Sequence, residues 1–325
     1  MRRYRVLISD LSGNPIYDYN SVNPDGTDNM SALDVEFDIP VVAYDAPMGM
    51  AAVRVWGIPL NVLNQATDLH GLNVSVFGGM SGSYPLNKPA QFGILVQGTI
   101  FQAFGNWIGT DQTLDLVVMI YGGTREEPVN LVLNWLKGTP LQTALTNALN
   151  VAFPGIPVVG TINPNLIQTQ DDQANFETLE QLSKYVRDRS RKVIAAKYAG
   201  ALSNYPGVQI STQLGKIVIS DGTSAIPTTG PVQINFEDMI GQPTWINLAT
   251  MQMSCVLRAD LSMFTQIKMP PRALVTTTAS ATAMFRQSSI FTGTMQVSQI
   301  RHVGRFRQPG AKSWITVVDA FFLEQ

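Results

Sequence analysis

Cysteine and histidine are almost absent: 325 residues hold one cysteine, Cys255, and two histidines, His70 and His302. A lone thiol excludes an internal disulfide and any cysteine-based metal cluster, and it suits folding in a reducing cytoplasm. Two histidines and one cysteine leave no zinc site of ordinary ligand count unless carboxylates join it. Charge is also scarce, at 14% of residues, where about 25% is usual. A net charge of −2 and a pI near 5.7 exclude electrostatic capture of nucleic acid, which needs many uncompensated lysines and arginines. No apolar run approaches the ~20 residues of a spanning helix. Behind the basic start Met1-Arg2-Arg3-Tyr4-Arg5 the run Val6-Leu7-Ile8 is too short for a signal h-region. The expectation is a chain neither exported by a signal peptide nor anchored by a helix.

Catalytic signatures are missing too. There is no Gly-x-Ser-x-Gly and no His-Glu-x-x-His, so neither a nucleophile elbow nor a zincin helix can be drawn. Asp68 and His70, two apart in a glycine-flanked loop, form the one candidate dyad, and a pair so placed more often caps a turn. No catalytic, cofactor or metal site is expected. With 45% apolar residues but so little charge, the surface is expected to be partly covered by neighbours in an assembly.

What is present is mostly strand. The length fits roughly two domains of ~150 residues, perhaps with a bridge, and composition marks three segments: 1–125, 126–222 and 223–325. In the first, a strand at residues 4–9 and a breaker-rich loop at 13–29 precede Leu33-Asp34-Val35-Glu36-Phe37-Asp38-Ile39, whose strict alternation marks a half-buried strand. Further strands are expected at 52–56, 72–77, 94–104 and 114–121, a spacing that fits an antiparallel sandwich or barrel.

The middle segment reads as α+β. Pro128, with Leu131, Val132, Trp135 and Leu136 on one face, predicts a helix ended by Gly138. Thr139 caps a second, striped by Leu141, Ala144, Leu145, Ala148 and Leu149, which makes a helical hairpin. Asn175 is the expected N-cap of a third, with Phe176, Leu179, Leu182 and Val186 as its apolar edge. Behind it runs Lys184, Arg187, Arg189, Arg191 and Lys192, nearly balanced by Asp171, Asp172, Glu177, Glu180 and Asp188. That pattern is a solvated face or a contact with an acidic neighbour, not a nucleic-acid patch. A hairpin across Leu214-Gly215 closes the segment.

In the last segment strands are expected at 233–236, 251–257 and 267–269, with a Thr/Ala-rich loop at 276–283. Residues 290–322 then hold two alternating runs, Met295, Val297, Ile300 and Trp314, Thr316, Val318, around the turn Pro309-Gly310, which predicts a closing β-hairpin. The five tryptophans lie spread along the chain, as core anchors do.

The run His302-x-Gly304-x-x-Arg307 followed by Trp314-x-Thr316 resembles the closing hairpin of baseplate hub proteins of contractile-tailed phages, the late-control-D type. Val53-Arg54-Val55-Trp56-Gly57-Ile58, the strand ending Gly78-Gly79, Gly98-Thr99-Ile100 and the Asp111-led strand are similar, in that order, to the family's first domain. The resemblance implies a mainly β protein with a smaller α+β middle and two tube-like β-barrel domains, at 1–125 and 223–325. It implies a homotrimer that adapts a six-fold tail tube to a three-fold central spike around a channel. Partners would be the tail tube protein, the spike and other baseplate (wedge) proteins, and the location would be the virion baseplate after synthesis in the host bacterial cytoplasm. Subunit or partner contacts would fall on Arg187, Arg189, Arg191, Arg301, His302, Arg305 and Arg307. The alternatives are a carbohydrate- or receptor-binding β-module and a cell-wall hydrolase. As a non-contact residue, His302 would be a buried strand-end histidine bonded to a nearby group.

Overall fold

A computed structural model describes residues 1–43, 50–80, 91–120, 130–197, 205–222, 231–247, 250–270 and 293–322. The Thr/Ala-rich 276–283 stretch lies outside them. The first segment contributes β1 (Arg2–Ser9), β2 (Pro15–Asn20), β3 (Val35–Val41), β4 (Ala51–Trp56), a short helix α1 (Leu60–Leu63), β5 (Asn73–Met80), β6 (Gly93–Ile108) and β7 (Asp111–Ile120). The middle holds β8 (Leu131–Trp135), α2 (Leu141–Ala152), β9 (Val158–Val159), β10 (Asp172–Phe176), α3 (Leu179–Lys197), β11 (Gln209–Gln213) and β12 (Lys216–Ser220). The last segment adds β13 (Val232–Gln233), β14 (Thr244–Trp245), β15 (Thr250–Val256), β16 (Gln266–Lys268), β17 (Thr294–Arg305) and β18 (Trp314–Phe322). The chain is mainly β.

Strands of the first and last segments form one sheet in the order β14-β15-β18-β17-β3-β4-β7-β6-β5-β1-β2, with β16 and β13 branching from β17. Alternation is the cause: in β3 Val35, Phe37, Ile39 and Val41 are buried while Glu36 and Asp38 face outward. The two segments meet where β3 pairs antiparallel with β17, from Ile300↔Val41 to Arg305↔Glu36, and they share one hydrophobic core. A separate tube-like barrel in each segment was the expectation. The ladder instead runs through both, and among the described residues it does not close. The sheet does curl: Arg2 Nη1 donates to Arg305 O at 2.8 Å and Tyr4 OH to Leu33 O at 2.6 Å, so β1 lies against the β17–β18 hairpin and the start of β3.

The middle segment has a core of its own; one expected helix is a strand there, and the other two start at residues other than those expected. Residues 131–135 are a strand, because Leu131, Leu133 and Trp135 are buried while Val132 and Asn134 point outward, and β10 supplies the ladder. The same apolar residues fit a helical face on paper, but burial here follows period two. Among the described residues there is consequently no helical hairpin, and Pro128, the expected start of the first helix, lies outside them; β8 is followed by α2, whose stripe from Leu141 to Leu149 is buried as the periodicity predicts. Pro140, not Thr139, stands at its N-cap. Asn175 lies in β10, and α3 begins behind Thr178, whose Oγ1 accepts from Gln181 N at 3.2 Å. The segment docks through polar side chains of β11: Ser211 Oγ donates to Val42 O at 3.2 Å, and Gln213 exchanges bonds with the backbone of Met263.

Candidate interaction face

Pairing across β17, β3, β4 and β7 puts four charges in one outward row: Arg305 opposite Glu36, Glu36 opposite Arg54, and Arg54 opposite Asp115. Phe104 of β6 continues it beside Asp115. Sign alternates along the row, so each charge faces opposite-sign neighbours, the favourable cross-strand arrangement. Arg54 makes a two-pronged contact with Asp115, Nη2 to Oδ2 at 3.1 Å, and that bond raises its pKa. Arg301 grips Asp38 likewise, with Nε to Oδ1 at 2.7 Å and Nη2 to Oδ2 at 2.5 Å. The guanidinium groups of Arg54 and Arg305 lie 5.5 and 5.4 Å from the ring centre of Trp56. Exposed pairs of this kind contribute about 0.2–1 kcal/mol each. They set register and offer directional partners more than they stabilise. A shallow groove of about 520 Å³ runs over this face, bordered by Glu36, Arg54, Asp115, Arg305 and Lys312.

Two further arginines hold the closing hairpin in place. Arg307 N donates to Asp34 Oδ1 at 2.9 Å and its Nη2 reaches the carbonyls of Ala32 and Met30. Arg2 donates to the carbonyls of Arg305, Phe306, Gln308 and Gly310 and lies 5.8 Å from the centre of the Trp314 ring; burial lowers its pKa. Sequence reading saw Arg2 as part of a basic start only. No local pattern marks a residue whose partners lie some 300 positions away.

His302 is 3% exposed, not at the surface, with Nδ1 2.9 Å from Thr316 Oγ1. Burial pushes its pKa down to about 3, so it is neutral at ordinary pH. Thr316 Oγ1 also accepts from Arg258 N at 3.1 Å. Arg258, 2% exposed, holds Asp260 by Nε and Nη2 at 2.7 and 2.6 Å and reaches Asp238 at 3.4 Å. Burial pulls the Arg258 pKa down, but the Asp260 bond and adjacent carboxylates outweigh it and the net shift is upward. Asp238 in turn accepts from Gln91 Nε2 at 3.3 Å. This buried network ties the last segment to the first, and sequence reading missed it because its members are scattered over the chain. Cys255 lies beside it in the core, its thiol pushed up to about 12 by burial.

The α3 arginines belong to the other core. Arg189 Nε bonds Asp172 at 2.8 Å, Arg187 Nε bonds Pro206 O at 3.3 Å, and Arg191 is exposed. His70 Nδ1 lies 2.6 Å from Phe101 O. The tryptophans are not all core anchors: Trp135, Trp245 and Trp314 are buried, but Trp107 is 65% exposed. Among the described residues no group of three or more His, Cys, Asp or Glu is placed to hold a metal, and no helix is long and apolar enough to cross a membrane.

No protein-family model and no curated protein matches the sequence. The fold does match solved structures. A 43 kDa tail protein of prophage MuSo2 from Shewanella oneidensis superposes over 98% of this chain and 96% of its own, with TM-score 0.53 at 10% identity. A tail protein from Neisseria meningitidis covers the same shares with TM-score 0.50 at 10% identity. The E. coli c3393 protein, described as a type VI secretion component with structural similarity to T4 tail proteins gp27 and gp5, covers 91% of this chain and 76% of its own, with TM-score 0.50 at 10% identity. The fold is therefore one that this chain shares, over nearly its whole length, with tail proteins of known structure.

Proposed function

We propose, from the fold it shares end to end with phage tail proteins, that this chain is a structural subunit of a tail baseplate: a trimeric hub that joins a six-fold tail tube to a three-fold spike around a channel. The observation that carries the reading is the match of nearly the full length of both chains to the Shewanella tail protein. The flanking segments act as the two tube-like units of each subunit, so three copies offer six similar positions. Tube, spike and wedge proteins are the partners, and the virion tail is the location. The work is assembly and not catalysis. Arg191, Arg301 and Arg307, all exposed, are the contact residues in the foreground, with Arg187, Arg189 and Arg305 partly so; His302 acts through the strands it joins.

Native mass spectrometry of the chain co-expressed with the neighbouring tube and spike genes tests this. A trimer that captures both is expected. A clean monomer that ignores both at micromolar concentration overturns the proposal. The exposed Trp107 favours one other reading, a carbohydrate-binding module; a monomer whose tryptophan fluorescence responds to host surface glycans would establish it instead.

A further inference from the structure

The strand order contains a repeat. The last segment runs β14-β15-β18-β17-β16-β13 and the first runs β3-β4-β7-β6-β5-β1; with β2 set aside, each position is filled by the strand of the same rank in its segment. Neighbours are antiparallel in both series except that β13 pairs parallel with β16 where β1 pairs antiparallel with β5. Both long hairpins also slip by one residue at matching places, skipping Phe101 between β6 and β7 and Ser298 between β17 and β18. Superposing those two residues sets 103–108 of β6 on 300–305 of β17. The same ladders set Val53 on Met253, hence Asp38 on Thr244 and Pro40 on Ile246.

The two series also differ along one edge. Residues 300–305 pair with β3, whereas the matching half of β6 has β7 on one side and, among the described residues, no strand on the other. The β5 side stops at Ile100, which exchanges its last bonds with Gly71 and Leu72. An edge of this length that no described strand pairs, with Phe104 46% and Trp107 65% exposed along it, is a template for another strand. The strand that fills this place inside the chain is β3, and β3 corresponds to β14.

We infer that residues 103–108 of one copy pair antiparallel with the β14 stretch of a second copy, repeating between chains the junction that β3 and β17 make within one. The inference rests on the trimer reading above and names the surface it uses. Copying the internal register, in which Pro40 faces Arg301 and Asp38 faces Val303, puts Ile246 opposite Phe104 and Thr244 opposite Asn106. Ile246 and Phe104 are both exposed large apolar side chains, at 44% and 46%, and the junction covers both. The contact is head-to-tail, and three such contacts close into a ring when each turns the chain by a third of a circle.

The test is disulfide trapping in the full-length chain. Directly opposed antiparallel residues have Cα atoms about 4.5–5.5 Å apart, within disulfide reach, and both positions are exposed, so the substitutions leave the core intact. Single variants Phe104→Cys and Ile246→Cys are mixed, oxidised mildly and run without reductant beside native mass measurements; the double variant is treated the same way. Expected are a cross-linked pair that needs both variants and a covalent three-chain product from the double variant. A native trimer that gives no 104–246 cross-link overturns this junction and leaves the trimer reading standing. A chain that remains monomeric removes both.

Discussion

Replacing Arg258 by Met keeps much of the side-chain volume but strips a buried carboxylate of its cation. Asp238 is itself 2% exposed and would retain, among the described residues, Gln91 Nε2 at 3.3 Å and the Asn235 donors at 3.3 and 3.4 Å. Asp260 has a side chain 21% accessible and turns to water, so little of the loss is its own. Removing one member of a buried ion pair costs about 3–5 kcal/mol, and the Arg258→Met variant is expected in that range. Adding Asp238→Asn removes the stranded charge and should recover a large part of it. The double-mutant cycle would then show a coupling of about 0.5–3 kcal/mol. Urea unfolding followed by circular dichroism and by tryptophan fluorescence gives the numbers, and agreement of the two probes checks that the two cores unfold together. A single variant that costs under about 1 kcal/mol, or two costs that simply add, would refute the view that Arg258 is the clasp of this network.

Three other outcomes follow from the same contacts. A Cβ at Gly304 would sit 2.2 Å from the buried Phe37 ring, so Gly304→Ala should cost about 1–3 kcal/mol by overpacking, with partial rescue by Phe37→Leu in thermal melts. His302 has a folded pKa of about 3, below its unfolded value; the unfolded state therefore takes the proton first, and stability should fall as pH drops from about 6.5 toward 3 at up to ~1.4 kcal/mol per pH unit. The His302→Gln variant should lack that component, and an unchanged pH profile would contradict it. Arg301→Glu against exposed Asp38 should change stability by no more than about 1 kcal/mol, measured by chemical denaturation, while weakening capture of partners in pull-downs.

The strands were legible where one face is buried and the other wet, as in β3, β15 and the β17–β18 hairpin, because alternation reports burial directly. It failed at β8, where Leu131, Leu133 and Trp135 share a run with Val132 and Leu136 and both periods find support; the partner β10, some 40 residues on, decided the matter. It also missed β2 inside the 13–29 stretch, a short edge strand paired with β1 whose Tyr17 and Tyr19 reach the core from among turn-forming residues. Sequence reading placed His302, Gly304 and Arg307 together but not their tasks. His302 bonds Thr316, Gly304 makes room for Phe37 and Arg307 anchors the 30–34 loop. The tasks of Gly304 and Arg307 depend on residues some 270 positions away, of which local pattern carries no record, while that of His302 needed the register of the hairpin that sets it beside Thr316.

The ladder between β3 and β17 has a consequence for how the chain comes to be folded. Arg301 and Asp38 stand 263 residues apart, and a ribosome working at 5–20 residues per second needs roughly 13–50 s to make that interval. Throughout it β3 has β4 on one side and nothing native on the other, so an apolar, half-built sheet waits for its last hairpin. Loop closure over such a span makes the final step slow, and a waiting edge invites intermolecular pairing. Slow translation near the end of the message, crowding by sister chains or absence of a chaperone should therefore lower the soluble yield of this protein more than any substitution on its outer face.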